Sequence, residues 1–303
     1  MTSPENLTGI ATFVTAARSS SFTQAAERLR VSKSAVGKSI ARLEARLGIK
    51  LFHRTTRTLT LTVDGEAYFV SCANALDEIG SAEAALKSGQ HRPSGRLRID
   101  MPASFGRRVL LPVLLDIAEI YPNLQLTITF TDHLVDPIEE GIDLTIRFGE
   151  LKDSTGLVAR QLTRQKLVIC AAPRYLMEHG EPLTLDDLNE HQCILGYRRG
   201  QPLGWNVSDA GGSPLHITPL ATHQFDDGDA ILSAALAGRG ICQLPLSMVR
   251  ESLGNDRLQA VLVRYSGQDV SVHAVWPSTR HLSPKVRFVV DELVRRSAAG
   301  ALD

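Results

Sequence analysis

The sequence predicts an α/β chain in three parts: a helical N-terminal head closed by a small two-stranded wing, a long linking helix, and a two-lobed α/β body. Three observations carry this expectation. A chain of 303 residues with 43% apolar content is too long for one core and has enough apolar surface for two or three domains. Charge is unevenly placed: residues 1–60 hold ten basic side chains against Glu5, Glu27 and Glu44, although the whole chain balances 33 basic against 33 acidic residues. Finally, apart from the wing, apolar residues recur at helical spacing to about residue 87, and beyond it strand and helix patterns alternate. A basic head on a neutral chain implies an anionic partner for that segment alone.

In the head, Leu7, Ile10, Phe13, Val14 and Ala17 give the first helix one apolar face. Ser21 is placed to cap the next helix, with Gln24 three residues on, and that short helix buries Phe22, Ala25, Ala26 and Leu29. Arg30-Val31 forms the turn, and Ser32 is a good N-cap for the third helix. Val36, Ile40, Leu43 and Leu47 line one face of that helix, with Ser34, Lys38, Ala41 and Arg42 broadly opposite. Such a small, cationic, acid-free face suits a DNA major groove, where small residues permit close approach and long cations reach bases or phosphates. The same pattern also fits an ordinary solvated helix face. Gly48 stops the helix, and Leu51-Phe52 with Leu59-Thr60-Leu61 reads as a two-stranded wing carrying Arg54 and Arg57 at its tip.

The ordered run SFTQAAERLRVSKSAVGKSIARLEARLGIKLFHRTTRTLTLTVDGE, within residues 7–69, resembles the winged helix-turn-helix of LysR-type transcriptional regulators without gaps. The resemblance implies contacts to double-stranded DNA from Ser32, Lys33, Ser34, Lys38, Arg54 and Arg57. Two adjacent positions depart from the family pattern. Gly37 stands where Ser is usual, and Lys38 where Arg is common, so a hydroxyl and a planar guanidinium are both missing.

Thr62 is placed to cap a helix running to about Lys87, with Phe69, Cys72, Leu76, Ile79 and Leu86 on a stripe. At 1.5 Å per residue this is a rod of roughly 40 Å. Its stripe either packs on the chain's own domains or, as the resemblance implies, pairs two copies in a homodimer, within a family that commonly forms homotetramers. The polar, breaker-rich stretch from Lys87 to Gly95 reads as a hinge. The expected divisions are 1–61 for the head, 62–91 for the linker and hinge, and 92–303 for the body.

The body opens with a strand at Leu97, Ile99 and Met101, a helix from Ser104 through Ile120, and a strictly alternating strand at Leu124–Phe130. A short helix near Val135–Glu140 and a strand at Leu144–Phe148 complete a βαβαβ unit with a mainly parallel sheet. A second unit begins near Leu162, with strands at Leu167–Ala171, Ile194–Tyr197, Trp205–Val207 and Ile241–Leu244, and a helix starting after Phe225 and running through Ala237. The chain then crosses back near Ser266-Gly267 to a strand at Val270–Trp276 and a closing helix at Val286–Arg295. Lobe I is thus expected at about 92–161 with 268–303, and lobe II at about 162–267.

This order resembles the regulatory domain of the same family, whose fold is like the periplasmic binding proteins and implies a small-molecule effector held between the lobes. Loops after strand ends line such clefts. That rule nominates Ser104, Thr131, Arg147 and Gly149 from the first lobe, and Tyr197, His223 and Asp226 from the second. Each also has a structural reading: Ser104 as a helix cap, Arg147 as the partner of a nearby acid, His223 as a strand residue with its bonds satisfied.

The scattered Cys72, Cys170, Cys193 and Cys242 form no ligand cluster and read as buried thiols. The sequence holds no GxSxG, GxxxxGK[ST], HExxH or GxGxxG pattern, so no catalytic residue, metal site or cofactor is nominated. A solute-binding transport protein is disfavoured by the basic head and by an N-terminus without a secretory pattern. No apolar run reaches membrane-span length, and a cytoplasmic location is expected. The expected function is a sequence-specific transcriptional regulator modulated by a small effector, with RNA polymerase as a further partner.

Overall fold

The computed structural model of the protein describes residues 4–19, 21–54, 59–88, 93–133, 135–149, 156–209, 211–266, 268–278 and 282–303. The chain divides into two compact units: residues 1–95 with 138–141, and residues 96–137 with 142–303.

The first unit contains α1 (Pro4–Ala17), α2 (Phe22–Leu29), α3 (Lys33–Leu47), β1 (Phe52–Arg54), β2 (Leu59–Leu61) and α4 (Val63–Ser88). Its boundaries follow from local chemistry. The Gln24 amide donates to Ser21 Oγ at 3.2 Å, which caps α2, and Arg30 ends that helix in the left-handed region at φ 53°. The Ala35 amide donates to Ser32 Oγ at 3.1 Å, and Gly48 closes α3 at φ 72°. Phe13, Val14, Ala25, Val36, Ile40, Leu43, Leu51 and Phe52 form the core. Phe52 meets Phe13 and Phe22 edge-on, at centroid separations of 5.5 and 5.7 Å.

β1 and β2 pair antiparallel, pairing Phe52 with Leu61 and Arg54 with Leu59. The Thr62 hydroxyl accepts from the Gly65 amide at 2.9 Å, capping α4, and donates to the Lys50 carbonyl at 2.7 Å. The first half of the α4 stripe packs on its own head: Cys72 is buried, and Phe69 and Leu76 lie against the same core. Ile79, farther along, is 45% exposed. The wing tip with Arg57, the side chain of Leu86 and hinge residues 89–92 lie outside the described residues.

The second unit starts with β3 (Gly95–Met101) and a helical stretch made of α5 (Ala103–Phe105), a π turn at Gly106–Leu110 and α6 (Leu111–Ile120). It continues with β4 (Leu124–Phe130), β5 (Leu144–Phe148), β6 (Leu157–Ala171), α7 (Pro173–His179), β7 (Cys193–Arg198), β8 (Gln201–Leu203), β9 (Trp205–Ser208), β10 (Pro214–Ile217) and β11 (Ala221–Phe225). The last elements are α8 (Gly228–Leu236), β12 (Ile241–Pro245), α9 (Leu246–Gly254), β13 (Gln259–Ala260), β14 (Asp269–Pro277) and α10 (Pro284–Ala298).

The principal strand order is β11-β7-β12-β6-β14-β5-β3-β4. β3 with β5, and β7 with β11 and β12, are parallel, but β6 runs antiparallel to both β14 and β12. The sheet is therefore mixed rather than mainly parallel, because both connections between lobes are made by strands of opposite direction. β6 is one 15-residue strand that pairs with β14 through Lys166 and with β12 from Leu167. The segment expected as a helix near Val135–Glu140 is a turn ending at Gly141, φ 64°.

Lobe I has one core between its sheet and α6 and α10, built on Ile99, Leu114, Ile117, Ile146, Val289 and Leu293. Lobe II has a core on each face of its sheet, one around Cys170, Ile231 and Val249, the other around Tyr175, Leu195 and Trp205.

Candidate functional site

Two sets of residues, one in each unit, have the chemistry of a site. In the first unit, α3 turns Lys33, Ser34, Ala35, Lys38, Ala41 and Arg42 to solvent. The helix contains a single acid, Glu44, and it points inward: Oε1 accepts from the Leu51 and Phe52 amides at 3.0 and 3.3 Å, and Oε2 accepts from Lys50 Nζ at 3.1 Å. Burial opposes ionisation of Glu44, but the Leu51, Lys50 and Phe52 hydrogen bonds outweigh it and hold the carboxyl below the usual glutamate range. The same side chain thus clears α3's outer face of negative charge and fixes the start of the wing. Sequence reasoning treated Glu44 only as a charge. Its placement, four residues after Ile40 on the apolar side, was the available signal.

Ser32 and Ser34 are engaged with each other at 2.9 Å, and Ser32 also caps the helix. Lys33 and Lys38 have no ion pair among the described residues. Arg54 lies on β1, with a side chain outside the described set, as is all of Arg57. Gly37 sits in open space, since a Cβ there would meet nothing within 4 Å.

The second site is a cleft of about 560 Å³ within the second unit. Its walls come from both lobes. Lobe I supplies Ser104, Thr131, Asp132 and Arg147, and lobe II supplies Arg198, Trp205, Asn206, Gln243 and Met248. Of the residues nominated from sequence, Ser104, Thr131 and Arg147 are brought together here. Gly149, Tyr197, His223 and Asp226 are not among the lining residues. Tyr197 misses by strand parity: its neighbours Gly196 and Arg198 line the cleft, while Tyr197 points to the other face and is 41% exposed. His223 lies on the outer strand β11, stacked with Phe225 at 6.3 Å. Gly149 takes φ 86° and donates its amide to the Ser271 carbonyl at 2.9 Å. Asp226 precedes Asp227, the residue that caps α8 by accepting from the Ala230 amide at 2.9 Å.

Most polar groups of the cleft are already committed to other protein atoms. Ser104, only 4% exposed, accepts from the Asp229 amide at 2.7 Å. Thr131 donates to Asp100 at 2.8 Å, and Asp100 also receives Thr129 at 3.0 Å and Arg147 Nη1 at 2.8 Å. Gln243 forms a two-way bond with the Asn206 backbone, at 3.0 and 2.8 Å. Two groups keep capacity. Arg147 Nη2 is buried without a hydrogen-bond partner, and Arg198 has no ion pair among the described residues. Asp132 has its carboxyl raised above the ordinary range, first by burial, with the nearby Asp227 and Asp226 adding to it against the Ala103 amide and Arg198. Sequence reasoning missed Asp132, Arg198, Asn206 and Gln243. Gln243, a lone amide in the apolar strand Ile-Cys-Gln-Leu-Pro, was the readable signal.

A helix-turn-helix with an acid-free cationic face, joined to a two-lobed body with a cleft, defines a class: a DNA-binding transcriptional regulator with a ligand-type domain. The comparisons fix the family. Residues 7–66 match the model described as "Bacterial regulatory helix-turn-helix protein, lysR family", and residues 90–298 match "LysR substrate binding domain". An HTH-type transcriptional repressor of Pseudomonas aeruginosa is 36% identical over 289 residues, 95% of this chain and 90% of its own length. The HTH-type transcriptional regulator CrgA of Neisseria meningitidis is 34% identical over 294 residues, 97% of this chain and 96% of its own. A solved structure of CrgA superimposes with TM-score 0.61 at 32% identity, covering 95% of this chain and 98% of that one. The chain belongs to the LysR family of transcriptional regulators.

Proposed function

We propose that this regulator reads a specific operator through α3 and the wing, and that a small effector in the inter-lobe cleft sets how it does so. The observation carrying the DNA half is the outer face of α3, where every charge is positive on a chain whose overall charge is zero. Lys33, Ser34 and Lys38 are the exposed groups for phosphate and base contact; Arg54 and Arg57 extend the contact to the wing. Ser32 organises the N-terminus, whose positive dipole end favours phosphate. The effector half rests on the cleft, with Arg147 Nη2 and Arg198 as its uncommitted donors.

Two heads suit a pseudo-palindromic site, so we place the protein on DNA as a homodimer or homotetramer, joined in part through α4 around the exposed Ile79. No helix among the described residues is long and apolar enough to cross a membrane. In this reading the protein works in the cytoplasm as a regulator and not as an enzyme, affecting RNA polymerase access. Effector binding acts through unequal affinity for two arrangements of the lobes.

Genomic mapping of sites bound by the full-length protein tests this reading. The expected result is a small set of enriched sites sharing an inverted repeat. If no site is enriched, and any duplex binds as well as any other, operator recognition is wrong.

A further inference from the structure

We infer that Arg107 and Arg108 of lobe I, with Asp227 and Asp229 of lobe II, form an ionic clasp across the mouth of the cleft that sets how far the lobes open. The inference rests on the effector reading of that cleft and adds the device that regulates it.

The clasp is built by two helix ends. Ser104, Arg107 and Arg108 fall at i, i+3 and i+4 in the helical stretch after β3, so they share one face. Opposite them, Asp227 caps α8 and Asp229 lies in its first turn, where the helix dipole favours negative charge. Arg107 Nη2 reaches Asp227 Oδ2 at 3.2 Å and Asp229 Oδ2 at 3.3 Å, and Arg108 Nε reaches Asp229 Oδ1 at 2.6 Å. Beneath these pairs the Asp229 amide donates to Ser104 Oγ at 2.7 Å.

Two glycines permit the approach. Gly106 lies in the π turn, where a Cβ would come within 2.5 Å of Met101 Cγ, so only glycine seats this turn on β3. Gly228 lies between the two aspartates. A Cβ there would meet Met248 Cε at 3.0 Å and Ser104 at 3.1 and 3.2 Å. Gly228 therefore lets α8 come up against Ser104 at this edge, and both it and Ser104 line the cleft.

The chemistry of the clasp fits opening and closing. All four side chains keep substantial solvent contact, between 27% and 47% exposed, so their attraction is modest and screened by salt. Pairs of this kind hold a position without freezing it. The other lobe connections, β6 and the return into β14, are continuous chain and cannot let go. The clasp can be broken and remade, so its strength contributes to the open fraction and hence to the apparent affinity of the cleft.

The test reads lobe separation directly and needs no effector. Spin labels are placed at Gln125→Cys in lobe I and Glu178→Cys in lobe II of the full-length chain, whose native cysteines are all buried. Labelled protein is diluted with unlabelled protein, and distances are measured by double electron–electron resonance. In 1 M NaCl the ratio of long to short separations should rise roughly threefold to tenfold. Arg108→Gln and Asp229→Asn should each raise it at low salt, and the double variant should add little to the larger single effect. Gly228→Val should lengthen the separation at every salt concentration. Identical distributions in all of these overturn the clasp. If the separation responds to salt and to these variants but no small molecule alters operator binding, the effector reading fails and the clasp stands.

Discussion

The cations on the outer face of α3 and the ion-paired cations of the body live in opposite surroundings. On α3, Lys33, Lys38 and Arg42 have no ion pair or hydrogen bond among the described residues. In the body, Arg147 is paired with Asp100, Arg107 and Arg108 with Asp227 and Asp229, Arg160 with Asp291, Lys285 with Asp143, and Arg296 with Glu292 and Asp116. The residue types are the same, and what differs is where the countercharge comes from. The body supplies its own for these side chains, so they set structure. The outer face of α3 leaves Lys33, Lys38 and Arg42 unmatched among the described residues and turns its one acid inward, which leaves room for a partner's countercharge.

This contrast is broken most forcefully at Arg147. Asp100 is fully buried and depends on Arg147, Thr129 and Thr131 for its hydrogen bonds. Arg147→Ala should therefore destabilise the body by about 3–5 kcal/mol, the cost of stranding a buried charge. Thermal unfolding of the full-length chain would record it as a lower midpoint for one of two transitions, with the head transition unmoved. Adding Asp100→Ala should recover part of the loss. An unchanged midpoint would mean that the arginine serves the cleft alone.

Next in size is Glu44→Ala, which strands the Leu51 and Phe52 amides where the chain enters the wing. It should cost the head about 1–3 kcal/mol. The wild-type head should also weaken in acid. The folded carboxyl is held below its ordinary value, so its contribution is complete above the ordinary glutamate pKa of the unfolded chain and is lost as pH falls through the lower folded value. Circular dichroism of Glu44→Gln against wild type between pH 7 and pH 3 checks this. The variant should lose less stability than wild type over that interval, and parallel curves would refute the argument.

How much of this was readable from sequence depended on whether a residue's role was local. Helix caps at Ser21, Ser32 and Thr62, the glycine stop at Gly48 and the apolar faces of α1 to α3 are decided within a few residues, and each was legible. The first half of β6 was not. Leu157 to Arg164 mixes charged and apolar residues and becomes a strand because β14, more than a hundred residues later, pairs with it. The turn near Val135 carries enough apolar residues to look helical, but the fold gives it no helix. In the cleft, the rule of strand-end loops chose Thr131, which lines it, and chose Tyr197, whose neighbours Gly196 and Arg198 line it instead. Strand parity is fixed by which face packs on the core, and an isolated strand does not disclose that. For Arg147 the sequence offered two readings, effector contact or partner of an acid. The structure gives Nη1 to the acid and leaves Nη2 unpartnered.

A smaller effect is expected at Lys38, and it should appear in binding and not in stability. Lys38→Ala removes an exposed, unpaired cation, so unfolding should move by no more than about 0.5 kcal/mol. Operator affinity should fall about tenfold, and the slope of log affinity against log salt should become shallower by about 1. Fluorescence anisotropy on one mapped operator, from 50 to 300 mM NaCl, separates the two quantities. If affinity fell with an unchanged slope, Lys38 would be acting through something other than phosphate charge.

The smallest change sharpens the contrast most. Gly37 is a mid-helix glycine with nothing within 4 Å of an added Cβ, so no packing inside the head requires it. Glycine in a helix interior costs about 0.5–1 kcal/mol relative to alanine. Gly37→Ala should therefore raise the head's unfolding midpoint by a few degrees. Its effect on DNA separates two explanations. If operator affinity is unchanged, the position faces solvent in the complex as well. If affinity falls while stability rises, the space beside Gly37 is filled by the duplex, and the glycine belongs with Lys33 and Lys38 as a position set by the partner.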